Sequence, residues 1–92
     1  SQTNTSISRK IDDMNIKIKP GTEACYSNFL KVSFTSTEFI FDFGFTGPKI
    51  DSSSGSETTI TNRIIIPPEY LNQVIEVLQK QKDAYEKSLE NE

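Results

Sequence analysis

Three charged residues, Lys31, Asp42 and Arg63, stand singly inside the apolar segments FLKVSF, FIFDFGF and TTITNRIII. Together they could be read as a catalytic ion cluster, but no nucleophile or pocket-forming loop accompanies them. They read as an outer-face charge cluster that compensates itself on a half-wet sheet face. Cys25 is the single cysteine, and the chain contains no histidine. A thiol with neither a base nor an adjacent cation reads as an inert small hydrophobe. Asp12 and Asp13, and Glu86, Glu90 and Glu92 near the C-terminus, lack the spacing of a calcium loop and read as solvated charges. The four glycines are isolated and form no phosphate-cradling loop. The expectation is a protein without catalytic residues, cofactor or metal site, and therefore not an enzyme.

Bulk properties narrow the alternatives. At 92 residues the chain has the size of one domain, too small to bury much more than about two thirds of its unfolded surface. A net charge of −3 argues against affinity built on phosphate neutralisation. One cysteine cannot make an internal disulfide, which suggests a reduced, cytoplasmic setting. No apolar run approaches the roughly 18 residues of a membrane span, so no membrane partner is expected.

The elements that must position the charges follow from hydrophobic periodicity. Residues 1–10 are rich in Ser, Thr and Asn and read as a flexible arm before a single domain over 11–92. Met14, Ile16 and Ile18 alternate with polar residues, which predicts a first strand ended by Pro20-Gly21. In YSNFLKVSFT, Leu30, Val32 and Phe34 point one way and Phe29, Lys31 and Ser33 the other. In EFIFDFGF, Phe39, Phe41, Phe43 and Phe45 share one side. A hairpin turning at Ser36-Thr37 sets Phe34 against Phe39, Val32 against Phe41 and Leu30 against Phe43. On the other face it sets Lys31 against Asp42 and Phe29 against Gly44, where a ring can cover a residue lacking a side chain. A slip of one residue would turn the phenylalanines into water. The Gly, Pro and Ser-rich stretch 46–57 predicts a mobile loop. TTITNRIII then predicts a last strand with Ile60, Ile64 and Ile66 on the apolar face. Pro67-Pro68 stops that strand, and Pro68 suits the first turn of a helix running to about Leu89. On this helix Leu71, Val74, Ile75 and Leu78 form a stripe that Tyr85 and Leu89 continue. Glu76 with Lys80, and Asp83 with Lys87, are spaced as i,i+4 pairs.

The same residues resemble domain-of-unknown-function family 3467, a family of small prokaryotic proteins. The resemblance covers about residues 14–89. Tyr26, Asn28, Glu38, Phe39, Asp42, Phe43, Pro48, Lys49, Arg63, Ile64, Ile65, Pro68, Leu78, Tyr85 and Glu86 carry it, most specifically in EFIFDF and RIIIPPEY. It implies a bacterial or phage-like origin and a fold, and no activity. Phe34 stands where the resemblance leads one to expect a histidine, which excludes a histidine-based role.

These readings predict an α+β fold: a four-stranded antiparallel sheet with one long C-terminal helix packed on one face. Four strands span about 19 Å and a helix about 10 Å, so one helix would leave apolar surface for a second copy. The expected dimer core is Phe39, Phe41, Phe43, Phe45, Tyr70, Leu71, Val74, Val77 and Leu78. The expected function is a non-enzymatic homodimeric interaction module that also meets an unidentified protein partner. The rival is a nucleic-acid-associated or transcription-accessory protein using Lys17, Lys19, Lys31 and Arg63 as a modest basic strip. A base-stacking role for the four phenylalanines would need cations on their own face, where the register puts none.

Overall fold

The computed structural model describes residues 15–48 and 55–91. The expectations for the N-terminal arm, for Met14 and for the middle of the 46–57 loop fall outside those residues. Strands β1 (Phe29–Phe34), β2 (Phe39–Thr46) and β3 (Thr58–Ile66) form one antiparallel sheet in chain order. A 3-10 turn, Pro68–Tyr70, leads into helix α1 (Leu71–Glu90).

The sheet has three strands, which corrects the expectation of four. Residues 15–19 keep their alternating pattern but join no ladder, and Ile16 and Ile18 stand 68% and 81% exposed. Alternation prepares a strand, but only a neighbour that accepts its N–H and C=O groups makes one. The segment runs instead into a turn, where the Thr22 N–H donates to the Lys19 carbonyl at 3.1 Å and Gly21 takes a φ of 90°. That conformation suits glycine.

The β1–β2 register is the one derived from sequence, from Phe34 opposite Phe39 to Phe29 opposite Gly44. Its turn is closed by the Thr35 N–H donating to the Glu38 carbonyl at 2.9 Å. The β2–β3 register pairs Phe39 with Ile66, Phe41 with Ile64 and Asp42 with Arg63, then shifts between Phe43 and Gly44. Asn62 faces Phe43 and Ile60 faces Gly44, so Thr61 is the extra residue of a β-bulge. The bulge changes the phase of β3. Ile60, expected beside Ile64 and Ile66, falls opposite Gly44, on the face of Asp42.

Helix α1 begins without a side-chain cap, after Pro67 in extended backbone and Pro68 in the first turn. That proline placement suits helix initiation, because the missing N–H would have had no partner. Asp83 accepts from the Gln79 amide at 2.8 Å, and the Lys82 ammonium reaches Glu86 at 2.8 Å. Among the described residues no apolar side chain is fully buried.

Candidate interaction surface

The apolar face is built by the pleat. Leu30, Val32 and Phe34 of β1, the phenylalanines of β2, and Ile64 and Ile66 of β3 lie on one side of the sheet. Val74 and Leu78 of α1 share with Leu30, Phe41, Phe43, Ile64 and Ile66 an open apolar cleft of about 340 Å³. The helix therefore stands on the phenylalanine side without closing onto it. Phe39, Phe41, Phe43, Leu71 and Val74 are half-buried, while Phe45, Tyr70, Val77 and Leu78 are exposed. Phe34 is 72% exposed although its ring lies 5.6 Å from that of Phe39. Tyr26 meets Phe45 edge-on at 6.1 Å. With three strands the sheet is about 14 Å wide, so width alone no longer leaves much uncovered by a helix of about 10 Å. What remains uncovered is set by the gap between helix and sheet.

The opposite face holds the charges. Asp42 is 4% exposed, the one buried polar side chain among the described residues. Arg63 grips it with two hydrogen bonds, Nε to Oδ1 at 2.6 Å and a terminal nitrogen to Oδ2 at 3.2 Å. Such a bidentate pair fixes geometry as well as charge. The Arg63 hydrogen bond holds the Asp42 carboxyl below its ordinary pKa; burial opposes this, and the charges of Arg63 and Lys31 add to the lowering. Arg63 is correspondingly held more firmly protonated. Lys31 lies opposite Asp42 in register, yet the carboxylate is taken by Arg63 from the other neighbouring strand.

Two residues take a positioning role that the sequence reading does not assign to them. The Ser27 hydroxyl lies 2.9 Å from the Phe29 and Gly44 carbonyl oxygens and accepts the Gly44 N–H at 3.2 Å. The Asn28 side chain accepts the Thr46 N–H at 2.9 Å and donates to its carbonyl at 3.2 Å. One amide side chain thus continues the ladder past the end of β1. The signal was present as two small polar residues directly before an apolar alternation, a pattern of local side-chain bonding. Cys25 is exposed rather than packed as a hydrophobe, and its thiol donates to Asn62 Oδ1 at 3.1 Å. A second hollow, of about 420 Å³, runs beside Cys25, Ser27, Phe43, Asn62 and Ile64.

Fold and surface together define a small α+β protein, with one antiparallel sheet and one α-helix among the described residues, whose most developed feature is an open apolar face. The family model for proteins of unknown function, DUF3467, matches residues 1–90, and the chain belongs to that family. No curated protein and no solved structure matches it. Among the described residues no helix is long and apolar enough to cross a membrane.

Proposed function

We propose that the protein is a non-enzymatic homodimeric interaction module of the reduced cytoplasm, whose phenylalanine face is covered by a second copy. One observation carries this reading: every large apolar side chain on that face, and on the helix above it, remains at least partly open in the single chain. Burying an apolar side chain is worth about 1.5–3 kcal/mol, and a fold of this size has little else to draw on. A second copy brings the same apolar surface in self-complementary form. The dimer core is Phe39, Phe41, Phe43 and Phe45 with Tyr70, Leu71, Val74, Val77 and Leu78. A further protein partner would use surface outside that core.

The nucleic-acid reading has less support. Lys17 and Lys19 lie on a segment outside the sheet, and Asp42 already occupies the guanidinium of Arg63. Light scattering at micromolar concentration tests the dimer. The expected result is twice the 10.4 kDa chain mass; a cooperatively folded monomer at that concentration would overturn the proposal. Oligonucleotide binding that weakens steeply with salt would favour the rival.

A further inference from the structure

Helix α1 carries a second pattern that overlaps its sheet-facing side only in part. Leu71, Ile75, Leu78, Lys82, Tyr85 and Leu89 alternate at spacings of four and three residues, the a and d positions of a heptad seam. All but Lys82 are apolar. Leu71 is half-covered, but Leu78 is 62% exposed and the remaining members are exposed as well. Val74 and Leu78 line the cleft above the sheet, so the seam runs along the shoulder of the helix beside the surface that faces the strands.

We infer that this seam pairs with the same seam of a second copy, and that the two helices run antiparallel. The inference rests on the homodimer reading and specifies its geometry. The decisive residue is Lys82. A parallel pair sets a against a and would bring Lys82 beside the partner's Lys82, two like charges in an apolar layer. An antiparallel pair sets a against d. The alignment that uses the whole helix places Leu71 against the partner's Leu89, Ile75 against the partner's Tyr85, and Leu78 against the partner's Lys82. Each lysine then meets leucine with its stem. Its ammonium can stay at the rim, where Glu86 lies 2.8 Å away.

The flanking positions agree. Gln79 meets the partner's Gln79, Asn72 the partner's Glu86, and Gln81 the partner's Gln81, with no like-charged neighbours. The charged residues Glu76, Lys80, Asp83 and Lys87 fall on the outer side of both helices. The seam holds fewer than three heptads, too few for a stable coiled coil alone, so it acts together with the sheet faces.

Oxidative crosslinking tests the geometry in the full chain with Cys25→Ser as background. Ile75→Cys protein mixed with Tyr85→Cys protein should form a disulfide-linked dimer, while each variant alone should not. Self-crosslinking of each single variant would mean parallel helices and overturn the inference. A dimer by light scattering that crosslinks in no combination would also overturn it, leaving the homodimer intact. A monomer would remove both. Lys82→Leu gives an independent readout that introduces no cysteine. It fills a polar layer with an apolar side chain and should tighten dimerisation roughly tenfold. An unchanged dimer dissociation constant would place Lys82 in water and refute the seam.

Discussion

Gly44→Ala adds one methyl group where β2 lies hard against the backbone of β3. A Cβ there would overlap the Thr59 carbonyl oxygen and come within 3.1 Å of Ile60 Cα and of the Thr59 carbonyl carbon. All three atoms are backbone of β3, so no flexible side chain can swing aside. Gly44 does not have a positive φ, and the demand is for space alone. Either β3 moves away or the bulge at Thr61 reorganises. Overpacking of this kind costs about 1–3 kcal/mol. For a domain of this size that corresponds to a fall in Tm of about 5–20 °C. The assay is thermal and urea unfolding followed by circular dichroism at one fixed protomer concentration, because an assembling protein has a concentration-dependent Tm. Deleting Thr61 should relieve the clash, since the pairings on either side of it then form a plain ladder with the same partners. Gly44→Ala should therefore cost at least about 1 kcal/mol less in the deleted background, a coupling within the range for contacting residues. A Gly44→Ala protein within about 0.5 kcal/mol of the parent, or an equal cost with and without Thr61, would refute the reasoning.

Phe41→Ala removes the ring at the centre of both ladders. If a second copy covers the phenylalanine face as proposed, the substitution should lower stability by about 3–5 kcal/mol in urea titrations, and a loss below about 1 kcal/mol would mean that the ring stays open to water. Asp42 supplies a pH dependence. Its folded pKa is held below the ordinary value of 3.8, so the stability it confers is fully present above that value and is lost as pH falls through the folded pKa. Asp42→Asn should flatten the acid limb of the stability profile below about pH 4. An unchanged acid limb in the variant would show that the Arg63 pair does not carry this dependence.

The hairpin register was legible because two faces constrained it at once. Apolar residues matched apolar residues on one side, while Lys31 met Asp42 and Phe29 met Gly44 on the other. The helix was legible through its proline start and its stripe. The missing fourth strand was not, since the alternation of Ile16 and Ile18 reports a preference and not the presence of a ladder partner. The bulge was hidden because one extra residue in TTITNRIII leaves composition unchanged while moving Ile60 to the other face. Gly44 was legible from one side only. Phe29 does lie opposite it, but the backbone of β3 is what excludes a side chain. Arg63 displaced Lys31 at the carboxylate because a planar guanidinium can satisfy both oxygens together. The phenylalanine side was legible as one apolar face, yet how far the helix stands from it depends on packing that periodicity does not encode.

The strands lie in the sheet in the order of the chain, so β1 and β2 pair across a short turn. A hairpin with a short turn closes in about 1–10 μs. Two copies at about 1 μM, associating at about 10⁵–10⁷ M⁻¹ s⁻¹, need roughly 0.1–10 s to meet. If the copies pair as proposed, each chain waits through an interval at least four orders of magnitude longer than the closure of its hairpin, with its phenylalanines facing water. Three strands and a helix are close to the least that can persist alone. During that wait the Ser27 and Asn28 brackets on β2 and the Arg63 grip on Asp42 act as holding fixtures. Their strength decides how long a solitary chain keeps its shape, and the abundance of the protein decides how long it must.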